Sequence, residues 1–422
     1  MCNFFTRVKR FNKCNIVHNI DKLTYVVTII FFLIAFLFIM NNICFAMKEE
    51  AFCVDNSAES VDVEQQISDS VHDVLEGVDF SELEDFILDI DSDLLEGFSV
   101  EDFVLKLIEG DISLNFSTII SLVLENVKSI VSELVSPLLL ILVVVLLCVV
   151  FNNVRSGKIS GVGEVVYLVC FSVVVILLSA LLSSVVNEAR GSLVKMQGQI
   201  SIIFPILLSL LTVMGGTNSV ASYSPFISFF GSIISNVFVY ILLPLFTFSL
   251  VLSILGNLST NTRLGKLNGF VASLFKWILG TTFAVFMTFL SLQGLIAGSS
   301  DGISIKATKY AIKNYIPLLG GYISDGFELV KAGGMLVKNA TGVVGIIIMF
   351  SVVIGPVLMV AVLELGLKLL AGIVEPVGDK RASGLLYSVG NSLKLLVAVL
   401  VGVALMYFLT IFLMMSTVSN FI

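Results

Sequence analysis

The chain has 422 residues, of which 57% are apolar and only 13% are Asp, Glu, Lys or Arg, about half the charged share of an ordinary soluble domain. Length alone would allow two or three soluble domains. The tract from Leu134 to Ile422 excludes them, because its few charges could not cover so much apolar surface in water. Charge is also unevenly placed. Of the 32 acidic residues, 21 fall between Glu49 and Asp111, opposed there only by Lys106, with Lys48 just outside. The composition requires an all-α, polytopic membrane protein with a small acidic helical segment.

Residues 1–46 form a unit of their own. Arg7, Lys9, Arg10, Lys13 and Lys22 precede the apolar run Tyr25–Met40, and Cys44 and Ala46 supply small residues at the −3 and −1 positions before Met47. This is a secretory signal pattern, and a retained first membrane helix is the other reading. Both place the following segment on the extracytoplasmic side, since the basic leader stays in the cytoplasm.

Residues 47–133 read as an acidic helical extracytoplasmic domain. Ile67, Val71, Val74 and Val78 recur at helical spacing. Ser81 with Glu84 fits a capping box, and Ser99 with Asp102 is a weaker version. The unit is too small for a large core of its own, so it must lean on a partner or on the membrane helices. Its acidity fits either a basic partner or solubility beside anionic lipid.

The multispanning domain, 134–422, divides at its polar breaks into six spans: Leu134–Phe151, Glu164–Val186, Ile227–Leu255, Ile278–Gly298, Val343–Leu370 and Leu395–Ser416. Ile202–Met214 is shorter, and a re-entrant or interfacial role for it makes the topology coherent. Arg155 with Lys158, Arg263 with Lys266 and Lys276, and Lys380 with Arg381 then share the cytoplasmic side. Pro244 and Gly355-Pro356 mark kinks within spans.

The stretch 299–341 is too polar to span and too regular for a linker. Lys306, Lys309 and Lys313 occupy one helical face and Ile305, Ile312, Tyr315 and Ile316 another. Pro317 ends that helix, Gly320-Gly321 permits a sharp turn, and a second helix runs from Tyr322 to Lys338. Its Gly333-Gly334 pair leaves room for another backbone. The pair is expected to form an amphipathic or re-entrant hairpin, or a platform, that meets other subunits. A plain surface connector is the alternative.

Enzyme chemistry finds little support. The two histidines, His18 and His72, have no partner at ligand spacing, and the six cysteines form no disulfide framework. No phosphate-binding loop, nucleophile elbow or basic–aromatic nucleic-acid pattern occurs. No catalytic, cofactor or metal residue is therefore assigned, and no nucleic-acid partner is expected. Glu364 and Lys368 stand four residues apart on one face of the fifth span, in the favourable order for a helix pair. Neutralisation near the interface, the polar lining of a conduit and a proton-coupled relay are its three readings.

The run Lys309–Val330, KYAIKNYIPLLGGYISDGFELV, followed by Leu336–Met349, LVKNATGVVGIIIM, resembles the stage III sporulation protein AE family. The glycine-broken Phe204–Gly216 adds to the resemblance, which covers most of residues 115–422. The family-like residues are Ile316, Pro317, Gly320, Gly321, Ser324, Asp325 and Gly326, whose roles the family leaves unassigned. The resemblance implies a non-enzymatic membrane component of a secretion-like channel connecting mother cell and forespore, needed for forespore development. It further implies a mother-cell membrane location, other channel subunits from an eight-protein operon set, a separate cytoplasmic ATPase and a forespore-side partner. A secondary transporter of a small solute and a structural membrane scaffold are the alternatives. The topology has a direct check: a reporter fused after Val220 should be extracytoplasmic and one fused after Thr262 cytoplasmic, and a cytoplasmic signal at Val220 rules this arrangement out.

Overall fold

The computed structural model describes residues 60–90, 99–110, 116–155, 160–258, 264–315, 320–377 and 380–417. The expected signal sequence lies outside them. Every regular element among the described residues is a helix. Three short helices, α1 (Ser60–Glu76), α2 (Ser81–Ile90) and α3 (Val100–Glu109), precede much longer ones. These are α4 (Phe116–Arg155), α5 (Ser160–Val213), α6 (Thr217–Ile233), a π-helical stretch Ile234–Leu242 leading into α7 (Leu243–Leu258), α8 (Gly265–Tyr315), α9 (Gly320–Val374) and α10 (Lys380–Ser416). Among the described residues, six helical runs are long and apolar enough to cross a membrane: Val123–Val150, Val165–Val213, Thr217–Asn257, Gly265–Gln293, Gly326–Val377 and Lys380–Ser416. The protein is a polytopic helical membrane protein.

The helices are longer than their apolar segments alone required. The 54 residues of α5 extend about 80 Å, against a hydrocarbon core of about 30 Å. Ile202–Met214, expected to be re-entrant or interfacial, is instead the far end of this same helix. Its cause is a stripe that never breaks. Tyr167, Phe171, Val174, Leu178, Leu182, Val185, Ala189, Leu193, Met196, Ile200, Ile203, Leu207, Leu210 and Met214 are all buried, and successive members are three or four residues apart. Glu188, Arg190 and Lys195 point off that stripe and are exposed or half-exposed, so they do not interrupt it. The helix stops at Gly215, whose φ of 82° is left-handed. There the Gly216 amide bonds to Leu211 O at 2.8 Å and the Gly215 amide to Thr212 O at 2.9 Å, a Schellman closure.

Short connections make consecutive long helices antiparallel. Arg155, Lys266, Lys380 and Arg381 consequently gather at one end of the bundle, where Arg381 lies 5.9 Å over the Tyr167 ring. The acidic helices lie towards the other end. Their apolar residues, including Val71, Leu75, Leu83, Phe103 and Val104, are continuous with the core of the long helices, so the acidic segment leans on this chain's own membrane helices. The Ser99 hydroxyl accepts from the Asp102 amide at 3.1 Å, as the sequence predicts. The Ser81–Glu84 box does not form. Ser81 donates its hydroxyl (2.6 Å) and amide (3.0 Å) to Asp79, and these bonds hold the Asp79 carboxyl below its ordinary value. Glu84 Oε1 accepts instead from the Val100 amide at 3.1 Å, joining α2 to the start of α3.

At the centre stands α9, which packs against α1, α3, α4, α5, α8 and α10. Pro356 sits inside it without ending it. Pro244 follows the π-helical stretch, where the Leu243 amide reaches back to Phe238 O, so the local winding changes just before the proline. The predicted hairpin at 299–341 has a different form. The segment up to Tyr315 continues the fourth span as α8, and the segment from Gly320 continues into the fifth as α9. α8 is described as far as Tyr315, and Pro317, expected to end it, lies outside the described residues.

Gly333 gives the expected close approach: a Cβ there would lie 3.0 Å from the Ser70 carbonyl carbon of α1. Backbone cannot yield as a methionine side chain can, so Gly333→Val should loosen α1–α3 from the bundle. A loss on the order of 1–3 kcal/mol is expected, read as faster proteolysis within residues 60–110 and a lower melting temperature. Unchanged proteolysis would mean that this contact does not anchor the acidic segment.

Candidate functional site

The family-like motif falls at the start of α9. Ile316 and Pro317 lie outside the described residues, and Gly320 and Gly321 are the first two described residues of α9. Ser324 is fully buried, and its Oγ has no hydrogen-bond partner. Asp325 follows in the helical backbone, and Gly326 is exposed, with open space where a Cβ would stand. Gly320 and Ser324, one turn apart, share a face of the helix.

Glu364 and Lys368 lie on the same helix but forty residues further on, about 60 Å along the axis. The structure does not bring the two candidate sites together. It does bring Glu364 and Lys368 together as a buried ion pair, their side chains only 4% and 8% exposed. A third charge, Lys394 of α10, adjoins Lys368. α10 reaches this depth through Gly390, where a Cβ would lie 3.3 Å from Glu364 O and 3.4 Å from Leu367 Cβ and Lys368 Cγ. Lys368 thus stands between the Glu364 carboxylate and a second ammonium group. The sequence pairs Glu364 with Lys368 by spacing, but Lys394 is a tertiary neighbour that no local pattern reveals.

Two further polar groupings were not legible as sites. Lys338, fully buried, donates to Met415 O at 2.9 Å and Thr417 O at 2.6 Å, satisfying carbonyls at the C-terminal end of α10. Its only sequence signal is isolation, as the one charge between Lys331 and Glu364. Nearby, Thr417 Oγ1 and the Tyr223 hydroxyl are 2.9 Å apart. Towards the basic end, Ser253 pairs with Ser392 at 3.0 Å, Asn257 donates to Ser388 at 2.8 Å, and Asn268 donates to Ser253 at 2.8 Å while accepting from Ser249 at 2.8 Å. This network ties α7, α8 and α10 with its partners supplied from within. Among the described residues, no group of three or more His, Cys, Asp or Glu could hold a metal ion.

The comparison that bears on this layout is with protein families. The model of the stage III sporulation protein AE family matches residues 98–418, from the cap of α3 to just past the end of α10. The chain belongs to the stage III sporulation protein AE family. A relative from Bacillus subtilis (strain 168), itself called stage III sporulation protein AE, is 29% identical over 269 residues. That alignment covers 63% of this chain and 66% of the relative, just under two thirds of its length. No solved structure matches the chain. The family match leaves α1 and α2 outside it, in keeping with an acidic segment that resembles the family in character more than in detail.

The three charges on α9 and α10 make an ordering that can be measured. Glu364→Gln leaves the Lys368 and Lys394 ammonium groups beside one another with no carboxylate between them, whereas Lys368→Met removes the pair and the approach to Lys394 together. Removing one partner of a buried pair costs about 3–5 kcal/mol. Glu364→Gln should therefore destabilise more than Lys368→Met in thermal unfolding of the detergent-solubilised chain. The reverse order would show that repulsion between Lys368 and Lys394 does not set the ranking.

Proposed function

We propose that this chain is a non-enzymatic membrane subunit of a secretion-like channel connecting mother cell and forespore during endospore formation. The family match over residues 98–418 carries the reading. The architecture agrees with it: six long helices form an apolar bundle, and their conspicuous polar side chains serve helix packing or lie at the two candidate sites. The subunit resides in the mother-cell membrane. A separate cytoplasmic ATPase supplies the energy, and a forespore-side partner completes the passage.

The orientation follows from charge. With Arg155, Lys266, Lys380 and Arg381 at one end of the bundle and the acidic helices towards the other, the basic end is cytoplasmic and α1–α3 are extracytoplasmic. Residues 1–46 act as the signal sequence that directs this insertion. Gly320, Gly321, Ser324, Asp325 and Gly326, with Ile316 and Pro317 before them, form the contact with other subunits at the extracytoplasmic end. Glu364 and Lys368 act as an intramembrane charge pair.

Removing the chain from an endospore-forming cell should leave engulfment complete but abolish late gene expression in the forespore, read with a fluorescent late-promoter reporter. Gly320→Val with Gly321→Val should give the same defect at near-normal protein level. Normal reporter activity without the chain would overturn the assignment, and solute flux by the purified chain alone in vesicles would replace it with a transporter.

A further inference from the structure

We propose that the outer face of α5, from Ser179 to Thr212, lines the aqueous passage of the channel, while α8 turns its outer face to lipid at the same height. This rests on the channel function for what the water-filled space is, and on the chain's own exposed residues for where that space lies.

Along the side of α5 that faces away from the bundle, the chemistry changes once. Val165, Leu168, Val169, Val173 and Ile176 are exposed there, and all are apolar. The stretch that carries them, Ser160 to Leu178, is about 28 Å long, close to the thickness of the hydrocarbon core. Beyond it the exposed residues are chiefly polar, among them Ser183, Asn187, Glu188, Arg190, Ser201 and Thr212. Val194 and Val213 are the large apolar exceptions. The buried stripe on the other side of the helix continues as far as Met214, so α5 does not leave the bundle. Only what its outer face meets has changed. Glu188 and Arg190 are both exposed, and ionised side chains on a membrane helix face protein or a water-filled space in preference to hydrocarbon.

Ring contacts tie this face to the height of its neighbours. Phe204 of α5 stacks on Phe230 of α6 with ring centroids 6.4 Å apart, and Phe230 meets Phe286 of α8 at 5.0 Å. Around Phe286 the outer face of α8 is apolar, with Val285, Met287, Phe289 and Leu292 all exposed. On the other flank, Phe86 of α2 comes within 3.4 Å of a Cβ built on Gly198 of α5. Glu82, Asp85 and Asp89 of that same helix are exposed, so water reaches the α5 side of the bundle there. Glu188 and Arg190 lie about 20 Å nearer the basic end than Phe204. A membrane that ended below these two charges would leave the apolar face of α8 in water, and one that ended above Leu292 would put the charges in lipid. The conflict disappears when one side of the chain meets lipid and the other meets water at the same depth. A passage wall has this character.

The test places single cysteines at Ser183, Asn187 and Ser201 on this face, at Ile176 below it, and at Val285 and Leu292 of α8. The full-length chain is expressed in the endospore-forming cell, and only variants that keep normal late forespore expression are used. Isolated membranes are treated with a small charged methanethiosulfonate or with a bulky polyethylene-glycol maleimide, the parent chain serving as blank. Ser183→Cys, Asn187→Cys and Ser201→Cys should react with the small reagent at least tenfold faster than Ile176→Cys, Val285→Cys and Leu292→Cys. They should react with the bulky reagent at least tenfold more slowly than with the small one. Equal reaction of the α5 and α8 positions would overturn the proposal, as would α5 positions as inert as Ile176→Cys. Rapid reaction of the α5 positions with both reagents would also overturn it, because bulk water and not a passage would then meet this face. The channel function fails by a different result, normal late forespore expression without the chain, which the labelling does not measure.

Discussion

The structure depends on how closely other helices can approach α9. Its small residues set those distances. A Cβ on Gly345 would lie 3.2 Å from both Ile203 of α5 and Ile411 of α10, one on Gly342 2.7 Å from Met415, and one on Gly366 2.6 Å from Leu138 of α4. In lipid, apolar side chains gain little by leaving the solvent, so association relies on packing contact and on hydrogen bonds between helices. Glycines at these positions supply the contact on three sides of one helix. The same device at Gly333 admits the backbone of α1, which is why the acidic segment shares the membrane helices' core.

Register along these interfaces is set by side chains that bond to backbone carbonyls. Ser192 donates to Val352 O at 2.5 Å and Gln199 to Gly345 O at 2.7 Å. Seven residues separate the donors on α5 and seven separate the acceptors on α9, in opposite directions, so the two bonds measure one antiparallel register. Ser383 donates to Ala371 O at 3.0 Å between α10 and α9, and Gln293 to Ser222 O at 2.8 Å between α8 and α6. Each such bond contributes only about 0.6–2 kcal/mol. Their value lies in selecting one sliding position among apolar surfaces that would otherwise fit at several.

Charge within the bundle has two different environments. Lys338 meets carbonyl oxygens at a helix end, a position where a cation is electrostatically favoured. Glu364 and Lys368 meet each other in the C-terminal third of α9, with Lys394 of α10 adjoining Lys368. The first arrangement fixes an end of α10 to α9. The second pairs a buried carboxylate with an ammonium group one turn away on the same helix. Neither lies near the described residues of the family-like motif at the other end of α9.

The amino-acid pattern alone determined the membrane class, the number of candidate spans among the described residues and the Ser99 cap. Each follows from local physics: apolar length, or a side chain reaching its own backbone. It also contained the buried stripe of α5, but that stripe was obscured by Glu188, Arg190 and Lys195, whose charges look like an interruption until their outward direction is known. Tertiary structure decided the rest. Glu84 bonds to Val100 instead of closing a box with Ser81, because the start of α3 lies within reach. Lys394 adjoins Lys368, and Lys338 finds the end of α10, because helices distant in sequence pack at glycine-determined separations. Local sequence sets where helices begin and what their faces offer, while the partner of a buried polar atom depends on which helix arrives opposite it.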